Sequence, residues 1–144
     1  MYFEDFELGQ RFFVENVPIE EERIRSFAEV YDPLPVHLDE EYAKAMPLRR
    51  LIAPGVMSFM LVWAEFVRQG IWRDTMVAGR FTKIEWEAPV YAGDVLRGEC
   101  VVSELEPRSG NKGCVVLDFY IYNQDEVLVI HDTTKMYAKL RPPG

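Results

Sequence analysis

Cysteine and histidine are scarce in this sequence: it holds only Cys100 and Cys114, His37 and His131. The two thiols stand in separate strand-like runs, with no CxxC spacing and no pair of histidines nearby. That pattern reads as reduced core cysteines and predicts neither a disulfide nor a metal site. Long apolar runs are also missing. The most apolar stretch, Val56 to Val67, is interrupted by Ser58 and Glu65 and falls well short of the ~20 residues that span a bilayer. Positive charge is in deficit, with 16 Lys and Arg against 24 Asp and Glu, a net charge of -8 and a pI near 4.8. A general nucleic-acid or anionic-membrane surface is thereby excluded, because such surfaces need an excess of Lys and Arg. The first residues, MYFEDFELGQ, are acidic and aromatic where a secretory leader would be basic and then apolar, so the expected location is cytoplasmic. Internal repeats, low-complexity tracts and linkers are absent too, and 144 residues predict a single domain over 1–144.

What the chain does have is organised around Leu51 to Gln69. A Pro54-Gly55 corner opens a run in which Val56, Met57, Phe59, Met60, Leu61, Val62, Trp63, Ala64, Phe66 and Val67 leave no wet face on a helix. The run is too long for an ordinary buried strand and is rich in Met, Leu, Ala, Phe and Trp, so it predicts a helix that other structure must wrap. Before it, Arg11 to Val17 reads as a strand. Ile24, Phe27, Ala28 and Tyr31 then make one helical stripe, with Glu20, Glu21 and Glu22 in the first turn where the helix dipole favours negative charge. Pro33 stops that helix at Asp32. Asp39 is placed to cap a short helix, EEYAKA. After Gly70 the period changes from 3.6 to 2. The segments 78–87, 94–105, 114–122 and 127–138 read as four strands, the last three joined by short turn-rich links that imply antiparallel neighbours.

An antiparallel sheet of about five strands needs one apolar object on its concave face, and the helix needs cover. The predicted fold is therefore α+β, a sheet curled around a central helix, the architecture called a hotdog. An open strand edge and a helix apolar all round predict a homodimer or higher homo-oligomer that completes the burial.

Chemistry concentrates in Asp32-Pro33-Leu34-Pro35-Val36-His37. Two prolines stiffen this loop and hold a carboxylate and an imidazole at nearly fixed separation. Such a pair can move protons to and from water near neutral pH; the alternative is a helix-ending Asp beside a His bonded to a backbone carbonyl. Gly55 begins the central helix, so its N–H is one of the orphan donors there and can polarise a carbonyl; equally, Pro54-Gly55 can be no more than a helix start. His131 has no partner pattern beyond Asp132, which should face the other way in a pleated strand, and it reads as structural.

These motifs carry a family resemblance. FAEVYDPLPVHLDEEYAKA followed by LIAPGVM resembles the MaoC-like, or (R)-specific enoyl-CoA hydratase, branch of the hotdog proteins. The matching positions are Phe27, Asp32, Pro35, His37, Asp39 and Ala43, then Ile52, Ala53 and Gly55. APVYAGDVL is similar to the family's step into a long strand at Pro89, Val90, Gly93 and Asp94. The resemblance implies a hydro-lyase acting on a trans-2-enoyl thioester of coenzyme A or an acyl carrier protein, with Asp32 and His37 as the catalytic pair, Gly55 as the oxyanion donor, and no cofactor beyond the coenzyme A of the substrate. Met46, Met57, Phe59, Met60 and Trp63 are candidates for an acyl pocket or plain core, and Arg49 and Arg50 for a coenzyme A phosphate or a solvated basic pair. Two departures stand out: Tyr31 where the family usually has a small residue, and Leu34 where it usually has Asn. They keep open a non-catalytic acyl-thioester binder. A hotdog thioesterase would need a helix carboxylate, for which Glu65 is the only candidate, far from Gly55.

Overall fold

A computed structural model describes residues 1–144. The strands are β1 (Arg11–Pro18), β2 (Met76–Trp86), β3 (Val95–Pro107), β4 (Lys112–Tyr122) and β5 (Leu128–Lys139); the helices are α1 (Glu21–Tyr31), α2 (Pro35–Leu38), α3 (Glu40–Lys44) and α4 (Gly55–Arg68). All five strands form one antiparallel sheet in the order β1-β3-β4-β5-β2. The short links from β3 to β4 and β4 to β5 make those strands neighbours, as the turn residues predict. Leaving β2 at one edge, the chain crosses the end of the sheet through Glu87–Asp94 to reach β3 on the other side of β4 and β5. That crossing passes the start of α4, which is why it matters to the site.

Alternation puts Leu96, Cys100, Val102, Val115, Leu117, Phe119 and Ile121 on buried positions, and α4 lies against them through Met57, Phe59, Val62 and Phe66. Phe119 is the hub: the rings of Phe66 and Phe59 meet it edge-on at 5.2 and 5.8 Å, a favoured aromatic arrangement. The helix comes this close because Gly98 has no side chain. A Cβ there would sit 2.9 Å from Val62 Cγ1.

The sheet wraps α4 but leaves one flank of it open. Val56, Met60 and Val67 are 47%, 46% and 39% exposed. A helix ~10 Å across laid on one sheet layer is covered on one side only. The neighbouring edge strand β2 is exposed along nearly its whole length and adds Phe81 to this bare surface. No helix is long and apolar enough to cross a membrane.

The core contains one polar cluster. Asp132, fully buried, lies on the helix-facing side of β5, where Thr82 Oγ1 is 2.5 Å from its Oδ2, Thr134 Oγ1 2.5 Å from its Oδ1, and the two hydroxyls 2.9 Å from each other. Cys100 and Cys114 are free and buried.

Candidate active site

Asp32 terminates α1, its backbone N–H donating to Ala28 O while Pro33 prevents another turn. The Pro-rich stretch that follows is not the open loop expected. Pro35 occupies the first position of α2, where its missing N–H costs nothing, and His37 sits inside that single helical turn. Arg25 Nη1 donates to Leu38 O at 2.6 Å and ties the turn back to α1. Asp39 caps α3 as its spacing predicts, accepting from Tyr42 N at 3.1 Å.

His37 is 5% exposed and held from both sides. Its Nδ1 lies 2.6 Å from Ile52 O, and its Nε2 lies 3.1 Å from Asp32 Oδ2. Ile52 itself is clamped: Ile52 N donates to Val36 O, Ala53 N donates to Val90 O at 2.7 Å, and Ile52 bridges Tyr91. A carbonyl can only accept, so Nδ1 carries a hydrogen. Nε2 is thereby left as the ring nitrogen that faces the Asp32 carboxylate and the cavity. Asp32 remains partly open to solvent, and its other oxygen, Oδ1, has no hydrogen bond to protein.

Gly55 is the first residue of α4, and the first backbone donor used within the helix is Ser58 N, to Pro54 O at 3.1 Å. Its own N–H is unpaired at the positive end of the helix. A cavity of about 440 Å³ is lined by Asp32, His37 and Gly55 together with Trp86 at the end of β2 and Glu87 and Pro89 from the crossing segment. The three residues chosen from sequence thus converge on one space. Trp86 and Glu87 were not foreseen, because the strand pattern that ends there gives no sign that the chain then turns over α4.

The other candidates lie elsewhere. Met57 and Phe59 are core, Met46 is exposed, and Phe59, Met60 and Trp63 line a separate depression of about 410 Å³ on the flank of α4. Glu65 pairs with Arg68 on the surface, away from the cavity. Arg50 stacks on Tyr91, 3.9 Å from the ring centre, and neither Arg49 nor Arg50 meets a carboxylate within salt-bridge distance. Tyr31 and Leu34, the two departures, are 74% and 52% exposed and do not line the cavity. No group of three or more His, Cys, Asp and Glu side chains is placed to hold a metal ion.

His131 and Asp132 do face opposite ways, and His131 has a partner that the sequence did not show. On the outer face of the sheet its Nε2 is 2.8 Å from Asp118 Oδ1, and its ring stacks on Tyr120 at 4.7 Å. Burial opposes ionisation of Asp118, yet hydrogen bonds from Ser103, Thr133 and His131 hold its carboxyl below the usual range. These partners come from β3, β4 and β5, a register that no local pattern reveals.

Comparison with known proteins identifies the family and the fold. Residues 7–132 match the family model described as the FAS1-like dehydratase domain region. The Bacillus subtilis protein YdeM is 26% identical over 140 residues, covering 96% of this chain and 99% of that one. Among solved structures, the MaoC-like dehydratase from Rhodospirillum rubrum is 28% identical, with a TM-score of 0.90 and 99% of each chain covered. The unliganded R-hydratase PhaJ1 from Pseudomonas aeruginosa is 25% identical, with a TM-score of 0.80 over 99% of this chain and 94% of that one. The hotdog fold expected from the sequence is the fold of these neighbours.

Proposed function

Since the chain belongs to the FAS1-like dehydratase region family, we propose that it is a hydro-lyase that adds water to a trans-2-enoyl thioester and, in reverse, dehydrates a 3-hydroxyacyl thioester. The observation that carries this reading is the 3.1 Å contact between Asp32 and His37 on the wall of a cavity that Gly55 also lines. The carbonyl oxygen of the thioester sits on the Gly55 N–H, whose dipole favours the negative charge that builds there in the transition state. A water beside Asp32 gives one proton to the carboxylate as its oxygen bonds to C3. The electron pair of the C2–C3 double bond moves toward the thioester, and C2 takes the proton held on His37 Nε2. Asp32 then carries one proton and His37 is neutral, so transfer across their contact restores the starting state. The Nδ1–H to Ile52 O bond fixes the tautomer throughout.

Tyr31 and Leu34 point to solvent, which supports an intact site despite those departures, and Glu65 is too far around α4 to drive thioester hydrolysis. The carrier is coenzyme A or an acyl carrier protein. The bare flank formed by Val56, Met60, Val67 and β2 supports a homodimer, since a contiguous apolar surface of this kind is seldom left in water. The test is loss of the conjugated enoyl absorbance of crotonyl-CoA on adding purified protein. Asp32→Asn and His37→Ala should each lower kcat by ~10²–10⁴ in a folded protein. Turnover that survives both changes, or release of free thiol in place of hydration, would refute it.

A further inference from the structure

The indole of Trp86 lies directly on Gly55. A Cβ built on Gly55 would come 2.1 Å from Trp86 Nε1, 2.4 Å from Cε2 and 2.7 Å from Cδ1, distances that put the glycine against the face of the ring at its nitrogen. Standard geometry separates a residue's amide nitrogen from its Cβ by about 2.5 Å, which puts Trp86 Nε1 within about 4.6 Å of Gly55 N. Two donors that each reach one oxygen at about 2.9 Å, spread at a carbonyl's lone-pair angle, stand ~4.5–5 Å apart. The pair is therefore no farther apart than two donors that share one oxygen.

The indole N–H is also free. Trp86 is 55% exposed, and its Nε1 makes no hydrogen bond to protein, while both Trp86 and Gly55 line the cavity with Asp32 and His37. The backbone that carries it is fixed: Trp86 pairs with Ile130 at the end of β2, and Glu87 N donates to Val129 O at 2.9 Å just before the chain leaves the sheet. A tethered strand end thus keeps an unspent donor beside an unspent helix donor on the wall of one cavity.

We infer that Trp86 is a catalytic residue, its indole N–H binding the thioester carbonyl oxygen together with the Gly55 amide. The inference rests on the hydratase reading for its chemistry, and it makes Gly55 necessary for a second reason: any side chain there would displace the indole. Negative charge developing on the oxygen strengthens both hydrogen bonds, so the indole contributes more to the transition state than to substrate binding.

Trp86→Phe keeps the ring and removes the donor. With crotonyl-CoA its kcat should fall ~10²-fold while KM changes less than ~3-fold, the scale set by loss of one oxyanion donor. A second readout does not need turnover. The protein has three tryptophans, Trp63, Trp72 and Trp86, and the indole N–H resonance missing from the Trp86→Phe spectrum identifies Trp86. Titration of the wild type with the unreactive butyryl-CoA should move that resonance downfield. A kcat within ~3-fold of wild type in Trp86→Phe, or an unmoved resonance at saturating butyryl-CoA, overturns the inference. A wild type that shifts the resonance but never hydrates crotonyl-CoA overturns the hydratase reading and leaves the donor assignment standing.

Discussion

Asp132→Asn should leave this protein as stable as the wild type or more so at pH 8, and the reason is a count of protons. Three short contacts close a ring through Asp132, Thr82 and Thr134, and the two threonines supply only two hydroxyl hydrogens. If both donated to an ionised carboxylate, the hydroxyl oxygens 2.9 Å apart would face each other with lone pairs. A third hydrogen, on Asp132, lets each member donate once and accept once. No Lys, Arg or His side chain hydrogen-bonds to the carboxyl, and it is fully buried. Burial pushes its pKa up, against the pull of Thr134 and Thr82.

The sign follows. A carboxyl whose folded pKa is raised holds a proton that the unfolded chain has already released. Between its ordinary value near 3.8 and the raised one, its contribution to stability therefore falls as pH rises, by at most about 1.4 kcal/mol per unit, and is level above. Asparagine supplies the missing hydrogen permanently. Its NH₂ donates to one hydroxyl and its oxygen accepts from the other, so it removes the decline. Ionisation in the wild type breaks about one hydrogen bond of the ring, ~1 kcal/mol, which is ~3–4 °C of Tm for a chain this size. Thermal melts of both proteins from pH 4 to pH 8 should show Asp132→Asn gaining on the wild type as pH rises. Asp5, Asp118 and Glu126, whose carboxyls are held low, pull the other way in both proteins and cancel in the difference. Were the fold instead to favour the anion, with both threonines donating to it and its pKa lowered, the amide would forfeit two charge-assisted hydrogen bonds, ~1.5–3 kcal/mol each. The variant would then be less stable at pH 8, and the proton count would be wrong.

Gly98→Ala places a methyl 2.9 Å from Val62 Cγ1 and should cost ~1–3 kcal/mol in urea denaturation; combined with Val62→Ala the loss should be less than the sum of the two, and strict additivity would refute the contact. Burial raises the pKa of both thiols, Cys100 furthest, and each is essentially inaccessible, so Ellman's reagent at pH 8 should label neither in the native protein and both in denaturant; a fast-labelling native thiol would contradict the packing. Thr133→Val removes a 2.8 Å hydrogen bond to Asp118 and should cost ~1 kcal/mol at pH 7. That deficit should shrink as pH falls through the lowered pKa of Asp118, and one that instead grew on acidification would refute the assignment.

Local rules reached a long way into this fold. Pro33 stopping α1 at Asp32, Asp39 capping α3, the change of period after Gly70 and the turn residues between the last three strands each act over a few residues, so each could be read directly. Asp32 and His37 were legible because they are five positions apart with prolines between. The helical turn at Pro35–Leu38 was missed because a single turn has no periodicity to detect. Trp86 and the partners of His131 were invisible for another reason: they depend on which strand lies beside which, and on where the chain leaves β2. The bare flank of α4 was legible only in outline: composition shows that a helix wants more cover than five strands give, but not which of its residues stay exposed.

The acceptor that orients His37 is the carbonyl of Ile52, an atom every residue possesses. No point substitution at position 52 can delete it, so the tautomer is encoded by the path of the chain and not by a side chain. Random mutagenesis should accordingly find the imidazole's support only indirectly, through changes that shift the Leu51–Ala53 segment off Val36 or Val90.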